Sequence, residues 1–97
     1  MNINEFKRLP LMGILRGVEP GCFPPLIETI FMSGLRTIEI TMNTKNATDF
    51  IKKAKNISKG RLTVGAGTVL TMKDLRQALD AGASFIVMPV LVREVMR

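Results

Sequence analysis

The chain has 97 residues, 46% of them hydrophobic, which describes one small domain with a modest core and excludes a disordered tail. With no histidine and a single cysteine, Cys22, there can be no intrachain disulfide, and a zinc site would lack its usual ligands; no apolar run approaches the ~20 residues that span a bilayer. The net charge is +6, but the basic residues are spread along the chain, there is no Tyr or Trp to stack bases and no basic tail, so the charge reads as a solvated surface rather than a nucleic-acid interface.

In chain order, the opening residues 1–8 lack the apolar stretch of a signal peptide, which together with the cysteine usage points to the cytoplasm. A β-rich run follows at Leu11–Leu15. Cys22, between Gly21 and Phe23, reads as a small packing residue. A helix is expected from about Pro24 to Ser33, with proline near its start and Gly34 as its stop. Thr37–Thr41 alternates as a strand should, with Ile38 and Ile40 on one face and Thr37, Glu39 and Thr41 on the other. The next helix is expected from about Ala47 to Ser58, with Asn46 as a candidate N-cap and Gly60 after it. It and its exit carry the densest basic cluster: Lys52, Lys53, Lys55, Lys59 and Arg61. A third β-run covers Leu62–Val64. Thr71-Met72-Lys73-Asp74 opens a helix with a capping-box-like signal, and Gly82 stops it. Phe85–Met88 is the fourth β-run, and a fourth helix begins near Leu91.

Taking Ile14, Ile38, Val64 and Ile86 as centres, the four β-runs lie 24, 26 and 22 residues apart. The repeat also shows in the letters: Ser33-Gly34-Leu35-Arg36-Thr37-Ile38-Glu39-Ile40 aligns with Ala81-Gly82-Ala83-Ser84-Phe85-Ile86-Val87-Met88. Strands alternating with helices imply an α/β fold with a parallel sheet and right-handed crossovers. A unit of about 24 residues repeated eight times makes a barrel of roughly 200 residues. Residues 1–97 therefore read as the first four βα units of a (β/α)8 TIM barrel, an N-terminal half-barrel. A complete four-stranded α/β domain and a fragment of a doubly wound sheet are the alternatives.

In such a barrel the chemistry sits where strands end and βα loops begin. Those ends here are Arg16-Gly17, Glu39 to Thr44, Gly67-Thr68 and Met88-Pro89. A carboxylate on a strand is costly to bury without a partner or a role. With a cation, hydroxyls and glycines converging on the same rim, Glu39 suits proton transfer on a small anionic substrate. Gly65-x-Gly67 lacks the third glycine of a dinucleotide-binding turn.

The segments Leu11-Met12-Gly13-Ile14-Leu15-Arg16-Gly17, Ile38-Glu39-Ile40-Thr41-Met42-Asn43-Thr44, Val64-Gly65-Ala66-Gly67-Thr68-Val69-Leu70 and Phe85-Ile86-Val87-Met88-Pro89 resemble the first four strand ends of the KDPG/KHG aldolase family. These are class I, Schiff-base aldolases that cleave 2-keto-3-deoxy-6-phosphogluconate, or the galactonate analogue, to pyruvate and glyceraldehyde 3-phosphate. The resemblance covers nearly all 97 residues in order. It implies that Glu39 is the proton shuttle at the pyruvyl carbon and that Arg16 and Thr68 contact the anionic substrate. Thr41, Asn43 and Pro89 become rim contacts. It also implies no metal or organic cofactor, and a homotrimer.

Departures from the family pattern are equally specific. Asn43 stands where gluconate-type members tend to carry arginine, so this chain looks more like the galactonate type. Met88 precedes Pro89 where Ser or Thr is usual, and Val90 follows where Gly or Asn is common. The Schiff-base lysine, which the family carries on the sixth strand, has no counterpart. Lys7, Lys45, Lys52, Lys53, Lys55, Lys59 and Lys73 fall on expected helices, caps or loops, not in an apolar strand where desolvation would depress an amine pKa. The 97 residues alone are therefore expected to be inactive. A non-catalytic anion-binding half-barrel and another phosphate-handling TIM-barrel enzyme, such as an isomerase, are the other functional readings.

Overall fold

The computed structural model describes residues 3–88. In chain order they form α1 (Ile3–Arg8), β1 (Gly13–Leu15), a 3-10 turn (Pro20–Cys22), α2 (Phe23–Met32), β2 (Thr37–Thr41), α3 (Ala47–Ser58), β3 (Thr63–Gly67) and α4 (Met72–Asp80). The strands make a parallel sheet in the order β1-β2-β3. Register is set by Ile14↔Glu39, Ile38↔Val64, Glu39↔Gly65, Ile40↔Ala66 and Thr41↔Gly67.

Because side chains alternate along a strand, that register sorts the sheet into two chemically distinct faces. Ile38, Ile40, Val64 and Ala66 join Phe23 and Ile27 of α2 and Phe50, Ile51 and Ala54 of α3 in one buried cluster. Phe23 and Phe50 stack there, with ring centroids 4.4 Å apart and planes 10° off parallel. The other face carries Ile14, Glu39, Gly65 and Gly67. This side of β1 is open: Ile14 is 62% exposed.

The expected helices form at α2, α3 and α4, and β2 has its expected bounds. The letter repeat is also a backbone repeat, since Gly34 and Gly82, after α2 and α4, both take φ +98°, a conformation only glycine adopts without strain. At α4, Thr71 Oγ1 accepts from the Asp74 N–H at 3.0 Å, while the Asp74 carboxylate accepts from the Leu70 N–H at 3.3 Å, one residue before the position a capping box uses.

Several expectations are corrected. The fourth β-run does not form a strand over Phe85–Met88 within the described residues. It is an isolated parallel bridge, Ala66↔Ile86, tied to β3 by Ser84 N–H to Val64 O (2.8 Å), Ala66 N–H to Phe85 O (3.0 Å) and Val87 N–H to Ala66 O (2.8 Å). β1 is shorter than Leu11–Leu15, and β3 runs past Val64 to Gly67. Gly65 and Gly67 are strand residues because they continue the ladder with β2, and larger groups occupy the space their side chains would need. Asn46 precedes α3 but makes no side-chain cap bond, its backbone sitting at φ 64°. Cys22 is exposed on the 3-10 turn and packs in no core. The helix expected near Leu91 lies outside the described residues.

The basic cluster divides in two. Lys52, Lys53 and Lys59 are exposed, as a solvated face requires. Lys55 donates to Gly82 O at 2.8 Å, tying α3 to the loop after α4. Arg61 donates from Nε to Ser58 O at 3.0 Å, and both its guanidinium and that of Arg36 lie over the Phe31 ring, 4.2 and 4.1 Å from the centroid. These two arginines hold the C-terminal ends of α2 and α3 beside the N-terminal ends of β2 and β3.

Candidate active site

Three parallel strands deliver their C-terminal ends to one rim, and the groups named from sequence meet there. Glu39 projects from the middle of β2 and is 6% exposed. Its carboxylate lies directly over Gly67 of β3: a Cβ added at Gly67 would overlap Glu39 Oε1 and Cδ. A Cβ at Gly65, the Glu39 register partner, would overlap the Phe85 ring. The two glycines thus open adjacent seats on the same face, one for the carboxylate and one for an aromatic ring.

Arg16 leaves the end of β1, and its Nη2 donates to Thr68 Oγ1 at 3.4 Å. Thr68 takes φ 54°, sparsely populated for a threonine, and such strain concentrates at functional sites. Burial pushes the Glu39 carboxyl above its ordinary value, and the Arg16 charge partly opposes that. No fully buried side-chain oxygen or nitrogen lacks a hydrogen bond among the described residues. No described residue bonds the Glu39 carboxylate. Its oxygens therefore keep a path to solvent on this face, unlike those of a sealed structural ion pair.

Thr41 is fully buried, and its Oγ1 lies 2.8 Å from Thr44 Oγ1. Thr44 Oγ1 also accepts from the Gly17 N–H at 3.0 Å. Thr44, 7% exposed, belongs to the quoted β2 segment but is not among the rim contacts expected from sequence. Its signal would have been the Thr41-x-x-Thr44 spacing across the strand end. Asn43 is exposed in the turn after β2, and Pro89 lies outside the described residues. The structure thus brings Arg16, Glu39, Thr41 and Thr68 to one rim. Each of the seven lysines falls on a helix, a cap or a turn. Among the described residues no group of three or more His, Cys, Asp or Glu could hold a metal, and no helix is long and apolar enough to cross a membrane.

Comparison with known sequences gives a decisive match: the family model "KDPG and KHG aldolase" covers residues 3–97. The chain belongs to the KDPG/KHG aldolase family. It is 36% identical over 94 residues to the 2-dehydro-3-deoxy-phosphogluconate aldolase of Zymomonas mobilis, covering 96% of this chain and 44% of that one. It is 31% identical over 88 residues to a probable 2-dehydro-3-deoxy-6-phosphogalactonate aldolase of Rhizobium meliloti, covering 91% and 42%. A solved KDPG aldolase from Legionella pneumophila, which holds pyruvate as a covalent carbinolamine, superposes with a TM-score of 0.81 at 29% identity, over 90% of this chain and 42% of that one. The chain spans less than half the length of these aldolases.

Proposed function

We infer that this chain is the Glu39-bearing part of a class I aldolase that cleaves a 2-keto-3-deoxy-6-phospho sugar acid to pyruvate and glyceraldehyde 3-phosphate. The observation that carries this reading is Glu39 itself. It is buried on a strand, raised in pKa, seated over a glycine and open to the face where Arg16 and Thr68 converge. A carboxyl raised above its ordinary pKa holds a proton more readily, which suits a group that must both take and return one.

In the cleavage direction, Glu39 takes the proton of the hydroxyl beside the breaking carbon–carbon bond, and a proton returns to the pyruvyl carbon as that product forms. Arg16 and Thr68 hold the anionic substrate against the carboxylate. Thr41, Asn43 and Pro89 are further rim contacts in this reading. The amine that forms the covalent intermediate is not supplied by residues 1–97, which are inactive alone. Their sheet is the start of a (β/α)8 barrel completed by the rest of a longer, cytoplasmic, homotrimeric protein. The carbinolamine in the Legionella relative and the names of the curated relatives support this chemistry.

The test is Glu39→Gln in the full-length protein, assayed by exchange of the pyruvate methyl protons with solvent. Positioned proton transfer is worth about 10²–10⁴-fold, and a loss in that range is expected while pyruvate still forms its adduct. Near-normal exchange would make Glu39 structural.

A further inference from the structure

We propose that Thr44 is the positioning residue of this rim: its hydroxyl bridges the loops after β1 and β2 and so holds Arg16 at its distance from Glu39. Its catalytic consequence rests on the aldolase reading, but its geometry does not.

A hydroxyl offers one donor and two acceptor lone pairs. Thr44 Oγ1 uses one lone pair for the Gly17 N–H, at 3.0 Å and 27 positions away in sequence, and shares the remaining capacity with Thr41 Oγ1 at 2.8 Å. The base of this bridge is rigid. The Thr44 N–H donates to Thr41 O at 2.9 Å, the Ala47 N–H donates to Thr44 O at 3.1 Å, and both threonine side chains are buried. The other end is not. Gly17 sits at φ +65°, a Cβ there would touch nothing within 4 Å, and Arg16 beside it is exposed. Leu15 and Val18 pack against the core on either side, but packing does not hold Arg16 and Gly17 themselves, and a hydrogen bond from a buried side chain takes over that role. Arg16 then reaches Thr68, and its charge reaches Glu39. Gly65, the register partner of Glu39, and Gly67, under its carboxylate, bring no titratable group to it from β3. Arg16 is the charged residue among those described whose field acts on Glu39, so its placement is felt directly by the carboxyl.

The experiment compares wild type, Thr44→Val, which keeps the shape and loses the hydroxyl, and Thr44→Ser, which restores it, all in the full-length protein. Three readouts are taken: the carbon-13 NMR titration of the Glu39 carboxyl, hydrogen exchange of the Gly17 amide, and pyruvate methyl-proton exchange. In Thr44→Val the Glu39 midpoint should move up, Gly17 protection should be lost, and pyruvate exchange should fall about 5-fold, the worth of one neutral hydrogen bond. Thr44→Ser should stay near wild type in all three. The proposal is overturned by a Val variant that titrates like wild type, by a Ser variant as impaired as Val, or by an unprotected Gly17 amide in the wild type. If Thr44→Val does not fold, Gly17 protection in the wild type and the behaviour of Thr44→Ser still decide. A wild type that never exchanges pyruvate protons sinks the aldolase reading alone, because the titration and amide readouts do not depend on turnover.

Discussion

Two alanine substitutions two residues apart should separate catalysis from stability. At Gly67 an added Cβ meets Oε1, Cδ and Cγ of Glu39, a flexible side chain that relieves the overlap by turning about its own torsions. Gly67 has no positive φ, so alanine fits the backbone and even restricts the unfolded chain, worth about 0.4–1 kcal/mol. The net change in stability for Gly67→Ala should therefore stay within about 1 kcal/mol. The carboxylate, however, leaves its seat, and a misplacement of about 1 Å costs on the order of 10²-fold in rate. At Gly65 the added Cβ meets three atoms of the Phe85 ring, a rigid group on a segment hydrogen-bonded to β3. Overpacking of that kind costs about 1–3 kcal/mol. Urea unfolding and retro-aldol turnover of the full-length variants provide the assay. Gly67→Ala should lose turnover with a nearly unchanged midpoint, and Gly65→Ala should lose midpoint with the smaller loss of turnover. A Gly67→Ala enzyme of wild-type turnover, or one less stable than Gly65→Ala, would refute the seat.

Glu39 should also cost stability at neutral pH. Its folded pKa is raised, so the folded state keeps a proton that the unfolded state has already lost. The Glu39 contribution is thus fully present below the ordinary carboxyl range, about pH 4, and is lost as pH rises through the folded value. Glu39→Gln should gain stability over wild type as pH rises from about 4 through the folded value, measured by thermal melts; a gap that narrows as pH rises would reverse the assigned sign. The open side of the sheet makes a prediction about the isolated 97 residues. With Ile14 exposed beside Glu39 and one edge of β1 unpaired, they should self-associate in light scattering. A monomer whose Leu11–Leu15 and Phe85–Met88 amides are both strongly protected would instead mean a closed four-unit domain.

What could be read from sequence follows from how local each signal is. β2 was legible because Thr37-Ile38-Glu39-Ile40-Thr41 alternates between a glycine stop and a polar turn, and the bounds of α3 because its apolar period ends at Ser58, just before Lys59 and Gly60. β3 was cut short because Gly65-Ala66-Gly67 reads as a breaker when taken alone. Its strand character depends on the ladder with β2, and its glycines leave room for Phe85 and Glu39, all of which arrive from elsewhere in the chain. α1 is six residues, too short to show a helical apolar period, and was not read from the sequence. The convergence of Arg16, Glu39 and Thr68 followed from topology alone, since parallel strands deliver their C-terminal ends to one rim. The roles of Gly67 and Thr44 did not, because they need the register Thr41↔Gly67 and a loop-to-loop hydrogen bond. The resemblance to the aldolase family was legible because its motifs sit on those same strand ends.

The central claim is that these residues supply the proton shuttle and not the nucleophile. Borohydride reduction in the presence of pyruvate, followed by peptide mass spectrometry, tests it on the full-length protein and on residues 1–97 side by side. A stoichiometric adduct is expected in the full-length protein on a lysine other than Lys7, Lys45, Lys52, Lys53, Lys55, Lys59 and Lys73, and none on the 97-residue chain. An adduct on any of those seven lysines, or none in the full-length protein, would contradict it.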